Sequence, residues 1–156
     1  MTVKKVACCI DFSENANIAF SVALEAAEKF HCELHILHVL PHPLNPLIAD
    51  FDIIPGSEHM IQNPDELQKS LMGRMEEKLE QEFGNKLDKI ESTKMVILSG
   101  HVSTEIINYL EEEDIDLVVV GSFGYSGMGL VLFGSVAKRV SHKAPCSVLI
   151  ARDKKK

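Results

Sequence analysis

Five short apolar runs, separated by longer amphipathic ones, restrict this chain more than any other feature of its sequence. The runs VKKVACCI (3–10), CELHILHVL (32–40), KMVILSG (94–100), DLVVVG (116–121) and CSVLIA (146–151) read as strands. The segment 18–30 carries Ala19, Val22, Ala23, Ala26 and Phe30 at helical spacing. A second helix is expected from Pro64 to about Leu87. Asn63 suits its N-cap, Pro64 the first helical position, and Asp65 and Glu66 complement its dipole. STEIINYLEEE (103–113) and SVAKRVSHK (135–143) read as two further helices. Strands alternating with helices predict an α/β fold, an open five-stranded parallel sheet covered by helices on both faces. The unbroken apolar run at 117–120 fits a strand buried on both sides. Residues 41–63 hold four prolines and no sustained period, so an irregular, lid-like segment is expected there. No internal repeat divides the chain, and a single domain over 1–156 is expected, ending in a basic tail at 152–156.

Composition narrows the partners. The 156 residues are 46% hydrophobic and 25% charged, which suits a globular chain. The net charge is −7 with a pI near 5.5, which argues against nucleic acid, where a basic face supplies most of the affinity. No apolar run approaches the roughly 20 residues that span a bilayer, so no membrane insertion is expected. The opening MTVKKVACCIDFSE lacks the long apolar region of a signal peptide, and a cytoplasmic location is expected. Cys8, Cys9, Cys32 and Cys146 form no C-x-x-C pair and read as free thiols in a reducing compartment. Adjacent in a strand, Cys8 and Cys9 should face opposite sides of the sheet.

The stretch DLVVVGSFGYSGMGLVLFGSV (116–136) carries the functional signal. Its glycines, at 121, 124, 127, 129 and 134, begin where the fourth strand ends. Glycine concentrates where backbone turns tightly or approaches something closely. In open parallel sheets, ligands bind beyond the C-terminal strand ends, at the point where strand order reverses. A loop leading into a helix at that place offers free N–H groups to a phosphate. Two known phosphate patterns fail. Gly129 and Gly134 have the Walker A separation, but Ser135 stands where the lysine belongs. Gly127 and Gly129 begin a dinucleotide fingerprint, but Leu132 occupies its third glycine position. The spacing that holds is Gly121-x2-Gly124-x9-Gly134-Ser135.

Other clusters carry less. His31, His35, His38 and His42 are close in sequence, but His35 and His38 have opposite parity, so surface or edge histidines are expected rather than a metal site. EEEDID (111–116) reads as a solvated face. His101 follows Gly100 near the expected crevice rim. No G-x-S-x-G elbow supports a hydrolase triad. No catalytic residue and no metal ligand is assigned.

With CCIDFSE after the first strand, DLVVVGS leading into the glycines and LFGSVAKRVSHKAPCSVLIAR after them, the chain resembles the universal stress protein family. The likeness is to the branch with the ATP-binding motif G-x2-G-x9-G-[ST]. The resemblance implies a Rossmann-like, adenine nucleotide alpha hydrolase-like sheet in order 3-2-1-4-5, with the switch point where Asp11 and Gly121 end their strands. It implies that Ile10 and Asp11 line a nucleotide crevice and that Val39 meets adenine through its backbone. Gly121, Gly124 and Gly134 would bring backbone to ribose and phosphates, with Ser122, Ser135 and Val136 as phosphate contacts. Asp11 and Ser13 also read as helix caps. Between Gly124 and Gly134 there is no Lys or Arg, and Phe123 stands where relatives often carry His or Arg. ATP, or ADP or AMP, would then depend on N–H groups, serines and Mg2+. The resemblance further implies a nucleotide-dependent stress-response regulator, and a homodimer formed through the edge strand Ser147 to Ala151. Two alternatives stay open: a non-nucleotide module binding an unknown protein partner through 41–63, and a slow ATPase or autokinase using Asp11 and Ser135.

Overall fold

A strand that is apolar along its whole length needs cover on both faces, and Val6, Ala7 and Cys8 are all fully buried. In the computed structural model, which describes residues 2–41, 64–122 and 134–153, these residues form the middle of the central strand β1 (Lys5–Cys9). It pairs in parallel with β2 (Glu33–Leu40) and β4 (Leu117–Gly121), so that Ala7 lies opposite both His35 and Val118. The strands β3 (Thr93–Ser99) and β5 (Ser147–Ala151) complete the sheet in the order β3-β2-β1-β4-β5. The parallel sheet and the strand order are those expected.

Helices α1 (Glu14–Phe30) and α2 (Pro64–Phe83) pack on one face, where Phe20 and Phe83 stack at 4.5 Å between ring centres. Helices α3 (Val102–Glu112) and α4 (Ser135–Lys143) cover the other face through Ile106, Leu110, Ala137 and Val140. Two boundaries differ from expectation. Helix α1 begins at Glu14 rather than Ile18, because Ser13 caps it by accepting from the Ala16 N–H and brings the polar segment 14–17 into the first turn. Helix α2 stops at Phe83, and a short 3-10 turn, Gly84–Lys86, carries the chain to Leu87. Asn63 and residues 42–63, including the lid-like segment, lie outside the described residues, as does the end of the tail.

Parity sorts the paired residues as expected. Cys8 joins the core under α1 and Cys9 packs on the α3–α4 side, and all four cysteines are unbridged. Burial first, then Cys146 and Asp11, pushes the Cys9 thiol up to about 12, so the thiol stays protonated at neutral pH. In EEEDID, Glu111, Glu112 and Asp114 are exposed as expected. Asp116 departs from that reading: its Oδ2 accepts from the Lys4 and Lys5 N–H groups at 2.7 and 3.0 Å, fastening the start of β1 to β4. Those two N–H groups hold its carboxyl below the usual range.

Of the four histidines, His31 is exposed as expected and His42 lies outside the described residues, but His35 and His38 are not surface groups. His35 is fully buried under α3, with Nδ1 2.9 Å from the Tyr109 hydroxyl and the two rings edge-on at 5.8 Å. Its Nε2 faces Glu33 Oε2 at 3.4 Å. A neutral ring fits best, with Nε2–H toward Glu33 and Nδ1 accepting from Tyr109. Tyr109 partners Nδ1, while Nε2 is buried with no hydrogen bond among the described residues, only the nearby Glu33 carboxylate. Burial lowers the His35 pKa against the opposing pull of Glu33, and burial lowers that of His38 as well. Both histidines therefore take up protons more readily in the unfolded chain. Their stability contribution is present above about pH 6.5 and is lost as pH falls through the lower folded-state values. Urea unfolding should show a falling midpoint between pH 7.5 and 5.5, and the fall should be smaller in His35→Gln. An unchanged pH dependence in that variant would refute the assignment.

Candidate functional site

The sheet opens where β1 ends. Its pairing with β2 runs to Cys9 opposite Leu37, and its pairing with β4 to Cys8 opposite Val119. Beyond these rungs β2 and β4 continue without β1 between them. A crevice of about 340 Å3 fills the gap, walled by Ile10 and Asp11 after β1, His38 and Val39 from β2 and Pro41 after it, Val102 and Ile106 from α3, and the start of α4.

Of the residues expected at a site, Ile10, Asp11, Val39, Gly121, Gly134, Ser135 and Val136 meet on this wall. Ser122 sits behind it, buried, donating its N–H to Ala151 O at 3.0 Å and accepting from Gly134 N–H at 2.8 Å. Gly124 lies outside the described residues.

Two glycines have reasons that a ligand does not supply. A Cβ on Gly121 would stand 3.0 Å from Asn15 O and 3.2 Å from Asn15 Cβ. Gly121 is thus the place where the first turn of α1 lies directly on β4. Gly134 has φ −65° and ψ 159°, torsions open to most residues. Its N–H goes to Ser122 O, outside the helix. The unpaired donors lie one step further on. Lys138 N–H to Gly134 O is the first helical bond of α4, and no side chain caps this helix. The N–H groups of Ser135, Val136 and Ala137 therefore lack helical partners, and all three residues border the crevice.

The neighbouring helix end is closed. Asp11 Oδ1 accepts from Ser13 N–H at 3.0 Å and from Ser13 Oγ–H at 2.5 Å, while Ser13 Oγ accepts from Ala16 N–H at 3.3 Å. Asp11 both steadies the cap of α1 and contributes to the crevice wall. It is the single carboxylate among the described lining residues, which include no Lys or Arg. The positive end of α4 is the main source of positive potential there.

Sequence reasoning missed the group beneath Asp11. His38 lies on the face opposite His35 and donates from Nδ1 to Ile10 O at 2.8 Å. Its ring meets Phe12 at 4.8 Å, and Lys78 Nζ stands 4.0 Å from the centre of the Phe12 ring. Phe12 has φ +60°, a left-handed conformation costly for an aromatic residue. Burial lowers the His38 pKa; the Ile10 carbonyl and Asp11 oppose this and Lys78 adds to it. A polar residue inside an apolar strand was the available signal. At the rim, His101 Nδ1 lies 3.2 Å from Thr104 Oγ1 and 3.4 Å from Ser103 Oγ.

This strand order has a counterpart among known proteins. The sequence profile of the universal stress protein family matches residues 2–152. The chain belongs to this family. It is 30% identical over 148 residues to the universal stress protein YxiE of Bacillus subtilis, covering 95% of this chain and 98% of the relative. The solved structure of MJ0577, a universal stress protein of Methanocaldococcus jannaschii, superposes with a TM-score of 0.78 at 26% identity over the full length of both chains. A universal stress protein crystallised in complex with cAMP shares the fold, with a TM-score of 0.62 at 18% identity, covering 97% of this chain and 98% of that one. No described helix in this universal stress protein is long and apolar enough to cross a membrane.

The packing at Gly121 is open to test. Gly121→Ala should displace α1 and destabilise the protein by about 1–3 kcal/mol. A denaturant midpoint equal to that of the unsubstituted protein would show that α1 gives way without cost.

Proposed function

We propose that the crevice binds an adenine nucleotide, ATP or its products ADP or AMP, and that the protein is a nucleotide-dependent regulator of the stress response. The observation that carries this reading is the uncapped start of α4. Its first three N–H groups, unpaired among the described residues, border a largely apolar crevice at the point where the strand order reverses. The family membership and the relative crystallised with cAMP support it.

In this reading Ser135 and Val136 meet the phosphates, together with Gly124 of the G-x2-G-x9-G-S motif. Gly121 keeps the floor of the crevice low. Gly134 and Ser122 brace the turn into α4 from behind. Ile10 and Val39 border the base, and Asp11 meets the ribose or, with Mg2+, the phosphates. A cation accompanies a di- or triphosphate because the described lining has a carboxylate and no Lys or Arg. The protein works in the cytoplasm, where four unbridged cysteines stay reduced.

Calorimetric titration with AMP, ADP and ATP, with and without Mg2+, should give saturable binding at micromolar to low-millimolar concentration. The absence of binding at several millimolar would overturn the reading. Ser135→Pro is the sharper test. Proline suits the first helical position, and the ψ of 159° at Gly134 suits the residue before a proline. The substitution should leave α4 intact by circular dichroism and remove an N–H and a hydroxyl, weakening nucleotide binding about tenfold or more.

We further infer a homodimer built on β5. Ser147 N–H and Ala151 O bond toward β4. Backbone direction alternates along a strand, so the groups of Val148 and Ile150 point out from the sheet edge, where a second strand can pair. Sedimentation at micromolar concentration should show a dimer, and Val148→Pro, which removes an outward N–H, should shift it toward monomer.

A further inference from the structure

The β1–β2 ladder ends one rung early. Glu33 donates its N–H to Lys4 O at 3.0 Å, and Leu37 O accepts from Ile10 N–H at 2.8 Å, so the odd-numbered residues of β2 direct their backbone groups toward β1. Val39 has the same parity. A regular parallel ladder would next bond Val39 N–H to Ile10 O. Among the described residues no such backbone bond is made. The Ile10 carbonyl is taken by His38 Nδ1 at 2.8 Å. The chain then turns off at Phe12, whose left-handed backbone is held under the His38 ring contact and Lys78. Val39 lines the crevice with its N–H and C=O directed to the side that β1 has vacated.

We propose that His38 is a positioning residue: by occupying the Ile10 carbonyl it withholds the last rung of the ladder and leaves the Val39 N–H and C=O as a donor–acceptor pair for the ligand. Such a pair fits a planar heterocycle that offers an acceptor beside a donor, as the amino edge of adenine does. The same bond holds Ile10 in place, and with it the neighbouring Asp11. The inference rests on the reading of the crevice as a nucleotide site, but its structural half stands without any ligand. A hydroxyl or carbonyl probe would not distinguish the two; the Val39 amide proton does.

Two substitutions separate the ring from its proton. His38→Phe keeps an aromatic ring against Phe12 and loses the donor. His38→Asn loses the ring and keeps a donor near the position of Nδ1. If His38→Phe does not fold, His38→Leu replaces it as the donor-less variant of the size of Asn. Amide hydrogen exchange, measured by NMR without ligand, should show a fast Val39 amide in the unsubstituted protein and in His38→Asn. In His38→Phe the amide should bond to Ile10 O and slow at least tenfold. Calorimetry on the same samples with AMP should show affinity reduced about five- to tenfold in His38→Phe and within twofold of the unsubstituted protein in His38→Asn.

A Val39 amide equally fast with and without the donor would overturn the inference. So would AMP binding that is unchanged in His38→Phe, or reduced equally in both variants. If the unsubstituted protein binds no AMP while the Val39 amide responds as expected, the nucleotide reading fails and the role of His38 in ending the ladder stands.

Discussion

The central strand of a parallel sheet divides its backbone hydrogen bonds between two neighbours, and both lose a partner where it stops. β1 is short, with five residues, and is flanked by strands that reach past it. Everything specific about this molecule follows from how that ending is arranged. The crossovers from β1 and β4 leave for opposite faces, α1 on one and α4 on the other, so the ending becomes a crevice and not a filled core. The tie between Asp116 and the Lys4 and Lys5 N–H groups fastens the other end of β1, which fixes where the strand must run out.

The two helices that begin beside the crevice are treated differently. Helix α1 is closed by Ser13, with Asp11 behind it, and its first turn lies directly on Gly121. Helix α4 has no side-chain cap, and among the described residues the one satisfied donor at its start, Gly134 N–H, turns inward to Ser122. A single open helix end in an apolar setting suits one anionic group without any basic side chain. The local dipole supplies what the overall charge of −7 opposes.

Much of this was legible in the sequence, for physical reasons that can be named. Continuous apolar runs spaced by amphipathic ones leave few architectures other than a parallel sheet between helices, and the start of α2 at Pro64 followed from proline chemistry. The glycine spacing and the resemblance drew attention to residues that do meet on one wall. The individual assignments were less secure. Gly121 lines the crevice as expected, and its lack of a Cβ also lets Asn15 approach. Gly134 was expected to bring backbone to a phosphate, and its N–H bonds to Ser122 O. His35 was expected at the surface or an edge, and it is buried, with Tyr109 partnering Nδ1. His38 drew no attention because its partner, the Ile10 carbonyl, belongs to another strand.

The sequence by itself determined the alternation of strands and helices, the faces of Cys8 and Cys9, and the glycine spacing that leads from β4 into α4. These depend on periodicity and on local backbone chemistry, which neighbouring residues decide. Only the tertiary structure decided which backbone groups at the crevice are already spent and which remain open. Ser122, Gly134, Ile10 and Val39 all carry the same N–H or C=O, and nothing in their side chains distinguishes a bonded group from an unbonded one. That distinction depends on what strands and helices distant in sequence bring within about 3 Å.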